Sequence, residues 1–193
     1  MKLMEAIEKR KSVRRFSDKA PDWRKILRAI DAARYAPSAG GYFVTKFILV
    51  SDSKKIVELA AASQQDFVGK AKYVVVVVTD DSALVRSYDE RGVRYATQQS
   101  GAAIQNFLLA LTEEKLATTW VGHFVDEQVK RVLDISEGLY VEAIFPIGIE
   151  TAVGIRYSVV GSRRKTRLDN ILFFDKWGNK QMVPSVKLSR EAV

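Results

Sequence analysis

The 193-residue sequence contains no cysteine and a single histidine, His123. Without cysteine the chain has no disulfide, no thiolate metal ligand, no iron–sulfur cluster and no cysteine nucleophile, and it suits a reducing compartment. One histidine cannot build a metal site that needs several histidine ligands. We therefore expect a cytoplasmic protein without a bound metal.

Long apolar runs are also missing from the sequence. The longest, residues 74–78, is far shorter than the roughly 20 residues that cross a bilayer, and the N-terminal segment alternates charged with apolar side chains, unlike a signal peptide. The composition, 47% apolar and 28% charged, is that of an ordinary globular protein. The length and the lack of repeats predict one compact domain over residues 1–193, with no membrane partner.

The net charge of +8 is concentrated at the two ends of the chain. Residues 1–28 hold ten Lys and Arg against four Asp and Glu, residues 154–193 hold nine against three, and the part between holds twelve against sixteen. The basic ends either converge on one anion or are two solvated surfaces. A pI of 9.6 is also typical of proteins that bind nucleic acid, so a nucleic-acid partner has to be considered. Zinc-finger spacing, RNP-like aromatic strings and basic heptad regions are absent from the sequence, so we expect no nucleic-acid partner.

Apolar periodicity predicts alternating helices and strands. Helices are predicted over residues 4–10, 23–33, 54–62, 93–115 and 126–133, and strands over 47–50, 73–79 and 140–149. Ser17 or Asp18 is the predicted cap of the second helix, and Gly- and Pro-containing segments predict a loop at 36–41 and a turn at 175–179. The unbroken valines of 73–79 predict a strand buried on both faces, and hence a sheet with helices on each side.

Common catalytic motifs do not match the sequence. Gly40-Gly41 lies between a helix and a strand, whereas a dinucleotide fingerprint needs the order strand, turn, helix. Residues 161–166 lack the glycine that precedes the lysine of a phosphate loop. The sequence lacks the Gly-x-Ser-x-Gly turn that exposes a nucleophilic serine, so His123 is not predicted to belong to a Ser-His-Asp triad. The carboxylate pairs 80–81 and 113–114 are predicted to be solvated caps, so no side chain is predicted to act as the catalytic acid or base.

The most informative segment is Arg10-Lys11-Ser12-Val13-Arg14-Arg15-Phe16. In an extended chain Arg10, Ser12 and Arg14 point the same way, and such a row can line one flat ligand. This segment resembles the opening of the FMN-dependent nitroreductase family, whose pattern is Arg-x-Ser-x-Arg/Lys-x-Phe after a short helix. Further segments resemble the family in the same order, and together they cover essentially the whole chain: 36–38, 100–110, 120–124, 145–148, 163–171 and 175–178.

The resemblance implies an α+β fold, an α/β/α sandwich with a mixed sheet covered by helices on both faces, and a C-terminal extension onto a partner subunit. It implies a homodimer with FMN at the interface. The implied activity is the transfer of hydride from NADH or NADPH, via the flavin, to a nitroaromatic, a quinone or a similar small-molecule acceptor. The flavin carries that chemistry, so the protein's part is to bind and tune the cofactor.

The resemblance also assigns residues to the cofactor. Arg10, Arg163 and Arg164 would hold the FMN phosphate, with Lys165 as a substitute, so the two basic ends would converge on one dianion. Lys11 belongs to the same cofactor-binding segment. The implied contacts to the flavin ring are the side chains of Ser12 and Arg14 at the pyrimidine edge, the amide of Gln64 or Gln65, the backbone of Val121, Gly122 and His123 near N5, and Pro37, Ser38 and Ala39 from the partner subunit.

One stretch departs from the family pattern. Many members have Asn-x-Gln-Pro-Trp after the Ala-Pro-Ser loop, where this chain has Gly41-Tyr42-Phe43-Val44-Thr45. Two alternatives therefore stay open: an enzyme of the same fold that consumes or rearranges the flavin, and a regulatory or FMN-binding protein without turnover. His123 is either a proton donor beside N5 or an ordinary surface histidine.

Overall fold

The computed structural model describes residues 2–151 and 166–180. The chain divides into two compact units, Met1–Ser158 and Val159–Val193. The single domain expected from the length stays a prediction. Within the described residues, no helix combines the length and the apolar character needed to cross a bilayer.

The first unit contains both helices and strands, and the predicted α+β class is confirmed. Its helices are α1 Leu3–Lys9, α2 Trp23–Ala33, α3 Ser53–Ser63, α4 Ser82–Tyr88, α5 Glu90–Glu113 and α6 Asp126–Leu133, and its strands are β1 Thr45–Val50, β2 Tyr73–Thr79, β3 Ala117–Thr118 and β4 Tyr140–Gly148. The elements α4 and β3 were not predicted from the sequence. The strand β4 continues through Pro146, which pairs with Val74 of β2.

The four strands form one sheet in the order β1-β2-β4-β3. Each of their pairings is antiparallel. Among the described residues, parallel pairing is limited to an isolated bridge between Ser12 and Thr118. The mixed character expected of the sheet is therefore confined to that bridge, where the segment after α1 lies along the edge strand β3.

Helices cover both faces of the sheet, as the valine run of β2 predicted. Val75 and Val77 face one hydrophobic core, which they share with α2 and α5. Val74, Val76 and Val78 face a second core, to which α3 and α6 contribute. Because successive side chains of a strand point to opposite faces, one five-valine run supplies the centre of both cores.

The start of α2 differs from the sequence-based prediction. The Asp22 side chain caps the helix by accepting a hydrogen bond from the Arg24 amide at 3.0 Å, so the predicted caps Ser17 and Asp18 were wrong. Asp22 directly precedes the first helical residue, which is the position from which a carboxylate reaches the free amides of the first turn. Two large apolar residues of α2, Trp23 and Leu27, remain 45% and 43% exposed.

The second unit is described over residues 166–180. A short 3-10 turn, Leu168–Asn170, leads into a loop that the Phe174 amide closes by donating to the Asn179 carbonyl at 2.9 Å. Gly178, with φ of +83°, supplies the left-handed conformation that this loop needs. The turn predicted at 175–179 is confirmed.

Candidate functional site

The segment after α1 is fixed to the edge of the sheet. The Val13 amide donates to the Thr118 carbonyl at 2.8 Å, and Thr119 Oγ1 donates to the Val13 carbonyl at 2.7 Å. Val13 itself is 4% exposed. Main-chain bonds and one buried side chain therefore hold the segment in an extended conformation beside β3.

The far end of the segment is fixed by Phe16. The Ser17 amide donates to the Ile149 carbonyl at 2.8 Å, and Phe16 bridges Glu150. A Cβ added to Gly148 would lie 2.7 Å from Cδ1 of Phe16, which is inside van der Waals contact. Gly148 is thus required because the aromatic ring packs directly on the backbone of β4.

Alternate residues of the segment face different surroundings. Lys9, Lys11 and Val13 line a cavity of about 450 Å³, in which Lys11 Nζ lies 2.8 Å from Glu150 Oε2. The Arg14 guanidinium lies instead over the ring of Phe67, with its Cζ 5.5 Å from the ring centroid. The alternation of an extended chain therefore separates Lys11 from Arg14, although both belong to the same sequence motif.

The Arg14 side of the segment meets two other predicted cofactor segments. Gln64 ends α3 in the left-handed conformation, with φ of +53°, three residues before Phe67. The Val125 amide donates to the Ala62 carbonyl at 2.9 Å and so ties the stretch after Val121 to the end of α3. Phe16, Phe67 and Phe124 pack against the core that contains Val121. Three distant parts of the sequence thus converge on one edge of the fold.

The stretch from Trp120 to His123 leaves the sheet at this edge. The Val121 amide and carbonyl both bond Ile144, at 3.0 and 2.9 Å, and the chain then turns outward so that Gly122 and His123 are exposed. Trp120 is 44% exposed and packs edge-on against Phe145, with ring centroids 5.6 Å apart. The backbone of residues 122–123 is therefore available to a ligand.

The loop of residues 37–39 lies elsewhere in the same chain. It leads into β1, the edge strand opposite β3, and Ala39 packs against Leu84 and Ala96 near the start of α5. The cavity of Lys11 and Val13 includes Thr112 near the end of α5. At 1.5 Å per residue, Ala96 and Thr112 are roughly 24 Å apart along the helix. One chain therefore does not bring residues 37–39 to the segment of residues 12–16.

The residues predicted to bind the FMN phosphate are described only in part. Arg10 directly follows α1, where its amide donates to the Ala6 carbonyl at 2.9 Å. Arg163, Arg164 and Lys165 lie outside the described residues, so the predicted convergence of the two basic ends stays a prediction. Among the described residues there is no group of three or more His, Cys, Asp or Glu side chains that could hold a metal ion.

Thr118 was not identified from the sequence. Its Oγ1 is buried and has no hydrogen-bond partner among the described residues. Residues that face each other across a bridge point to the same side of the sheet, so Thr118 lies on the side of Ser12, whereas the neighbouring Ala117 lines the cavity of Lys11. The pairing of residues 118 and 12, which joins segments about a hundred residues apart, gave no signal in the sequence.

Comparison with known proteins agrees with this geometry. The model of the Nitroreductase family matches residues 7–65 and 56–149, which include most of the segments that meet at the sheet edge. The chain belongs to the nitroreductase family. The fold of this chain matches that of a solved nitroreductase family protein.

Individual members of the nitroreductase family are moderately similar in sequence. A Methanocaldococcus jannaschii protein that carries the name nitroreductase is 35% identical over 92 residues, which cover 47% of this chain and 46% of that relative. A Methanothermobacter thermautotrophicus protein named as an NADH dehydrogenase/NAD(P)H nitroreductase is 27% identical over 77% of each chain. The crystal structure of a nitroreductase family protein from Clostridium novyi NT superposes with a TM-score of 0.73, at 29% identity, over 96% of this chain and 100% of that one.

Proposed function

We propose that this nitroreductase-family protein is an FMN-dependent oxidoreductase that passes hydride from NADH or NADPH to a nitroaromatic, a quinone or a similar acceptor. The observation that carries the proposal is the convergence of residues 12–16, 64–67 and 121–125 at one sheet edge. Family membership and the name of the Methanothermobacter relative support the reaction class. The class of acceptor and a cytoplasmic location are predictions from the sequence.

The residues at this edge suit an anionic, polar, flat cofactor. Arg14 forms no ion pair with the described residues and rests on an aromatic ring, so its charge is free to meet an anion. Thr118 Oγ1 is a buried hydroxyl without a partner beside Ser12. An unsatisfied buried hydroxyl is costly, and a polar group brought to this edge would reduce that cost. Both features fit FMN as the ligand of this edge.

The protein's contribution is binding and electrostatic tuning. We assign Arg10, Arg163 and Arg164 to the phosphate, Ser12 and Arg14 to the pyrimidine edge of the ring, and the exposed backbone of residues 121–123 to the region of N5. Gln64, Lys11 and the loop of residues 37–39 from a second copy complete the proposed set. When bound, FMN supplies the hydride-transfer chemistry. A fixed guanidinium beside the ring favours a reduced, anionic cofactor because the two charges attract.

A flavin-binding protein without turnover is the second candidate. It is favoured by residues 41–45, which lack the Asn, Gln, Pro and Trp that many family members carry after the Ala-Pro-Ser loop. In that case the sheet edge would bind FMN in the same way, but a reductant would not reach it productively.

The test is to titrate the purified protein with FMN and then add NADH or NADPH without oxygen. The proposal predicts saturable quenching of FMN fluorescence, followed by rapid bleaching of the yellow colour and its return on adding a quinone or nitroaromatic. A yellow protein that bleaches no faster than free FMN would support the second candidate instead. Failure to bind FMN would refute both.

A further inference from the structure

Two neighbouring polar residues of α5, Gln99 and Ser100, are almost fully buried, with exposures of 4% and 1%. Ser100 Oγ lies 2.9 Å from Thr45 Oγ1 and 2.6 Å from Thr79 Oγ1, and so bonds β1 to β2. A buried amide such as that of Gln99 must likewise be matched by a donor and an acceptor. The hydrogen-bond partners of Gln99 indicate which part of the chain it holds in place.

Gln99 bonds the chain that follows the loop of residues 37–39. With the amide assigned by its hydrogen-bond network, the side-chain nitrogen donates to the Tyr42 carbonyl at 3.0 Å and the side-chain oxygen accepts from the Val44 amide at 3.0 Å. The Val44 carbonyl in turn accepts from the Asp80 amide at 3.1 Å. One side chain of α5 therefore holds two alternate backbone positions and fixes their orientation.

The other end of the loop is fixed independently. The Ala36 amide donates to the Ala33 carbonyl at 3.1 Å, and Ala36 is 6% exposed in the core. Between these two anchors Pro37 and Ser38 are exposed, and the Ser38 side chain does not cap the 3-10 turn that follows it. The loop is thus anchored at both ends, with an exposed dipeptide that faces away from its own chain's core.

We propose that Gln99 is a positioning residue that fixes the loop of residues 37–39 in the shape needed to complete the FMN site of a second copy of this chain. The inference rests on the proposed function, because the loop does not meet residues 12–16 within its own chain. Gln99 acts through the backbone of residues 42–44 and touches neither cofactor nor substrate, so it is not a catalytic residue.

Gln99 can hold both backbone positions because its side-chain amide carries a donor as well as an acceptor. A glutamate at position 99 has nearly the same shape, but its ionised form only accepts, so it would repel the Tyr42 carbonyl. The protonated form has one donor and one acceptor and would restore both bonds. Because burial raises the pKa of a carboxyl, that restoration should occur within an accessible range of pH.

The experiment compares the FMN affinity of the wild type with that of Gln99→Glu at pH 8 and at pH 5. Each variant is compared with the wild type at the same pH, because the FMN phosphate itself titrates. We expect Gln99→Glu to bind about tenfold or more weakly at pH 8 and to approach the wild type at pH 5. Hydrogen exchange of the Val44 amide should be faster in the variant at pH 8 only. Gln98→Glu is the matched control, because Gln98 is the exposed neighbour on the same helix.

If Gln99→Glu does not fold, Gln99→Met removes both bonds without adding charge and should weaken FMN binding at both pH values. Unchanged FMN affinity in a variant whose Val44 amide exchanges faster would overturn this inference and leave the proposed function standing. An affinity loss that does not recover at low pH would also overturn it, because damage to the helix alone gives that result. A wild type that fails to bind FMN would refute the proposed function, and this inference with it.

Discussion

Arg14 is the residue on which the candidate site most depends. Its guanidinium lies over Phe67 and has no ion pair among the described residues, whereas Lys11, in the same motif, is paired with Glu150 on the other side of the segment. A cation held by an aromatic ring is oriented without being neutralised. Arg14 is therefore the described side chain best placed to influence a bound anion.

Replacing Arg14 by Ala should lower FMN affinity by about 10- to 100-fold, the range expected for one lost charge-assisted hydrogen bond. The flavin should also become harder to reduce, because the charge that favours its anionic form is lost. Fluorescence titration and the reduction potential of the bound flavin measure the two effects. Arg24→Ala is the control, since Arg24 also stacks on an aromatic ring, that of Trp23, and lies outside the motif of residues 10–16.

A reduction potential that is unchanged in Arg14→Ala, with Arg24→Ala also unchanged, would remove Arg14 from the role of tuning the flavin. A loss of affinity alone would leave Arg14 as a binding residue only. Reading the sequence could name Arg14 but not Phe67 or Thr118, because the contacts of Arg14 with Phe67 and of Ser12 with Thr118 join segments that are far apart in the chain.

Among the helices and strands, periodicity predicted most of the long elements. The strand Tyr73–Thr79 matches its predicted range, and α5 differs by a few residues at each end. Short elements were missed: β3 has two residues and is defined by its pairing with β4, and the pairing of distant segments has no local pattern. The cap of α2 was misplaced because Ser17, Asp18 and Asp22 are all competent cap residues, and packing selects among them.

A chain of hydroxyl contacts crosses several of these elements beside Glu142 of β4. Thr45, Ser100 and Thr79 form consecutive hydroxyl contacts, and Thr79 and Glu142 line one small cavity. Burial raises the pKa of Glu142, against the smaller opposite effect of the nearby Thr79 hydroxyl. Asp81, Thr97 and Tyr140 line the same small cavity.

The native state therefore keeps the Glu142 proton to higher pH than the unfolded chain does. The stability contributed by this group falls as pH rises from the ordinary glutamate pKa towards the raised one, and it stays low above that value. Glu142→Gln removes the buried charge and should be more stable than the wild type at pH 8, with the difference shrinking towards pH 4. Urea denaturation at both pH values measures this, and Glu58→Gln, at an exposed position of α3, should show no such trend. An advantage equal at both pH values would contradict the assignment to ionisation.

For the whole molecule, the two halves of the proposed site lie far apart in one chain. The segment of residues 12–16 lies beside β3 near the end of α5, whereas the loop of residues 37–39 leads into β1 near its start. A homodimer with two-fold symmetry brings such halves together, because each copy meets the other through the same surfaces. The sequence predicted this arrangement through the family resemblance, not through any pattern of its own.

A dimeric site predicts complementation between two defective variants. Arg14→Ala damages one half. Gly40→Ala damages the other, because a Cβ on Gly40 would lie 2.6 Å from Tyr88 Oη and the residue has φ of +58°. Each variant alone should bind FMN weakly. In mixed dimers formed by refolding the two together, one of the two sites combines the intact halves, so about a quarter of the wild-type sites should return.

The double variant Arg14→Ala/Gly40→Ala, refolded with the wild type, serves as the comparison. In those mixed dimers each site carries one damaged half if the halves come from different subunits, whereas one site is fully intact if both halves come from the same chain. Refolding the two single variants together should therefore restore strong FMN binding to part of the sites. Refolding the wild type with the double variant should reduce the number of strong FMN sites. If mixing changes neither sample, residues 37–39 serve the flavin of their own chain, which would require the loop to move from its packing against Leu84 and Ala96.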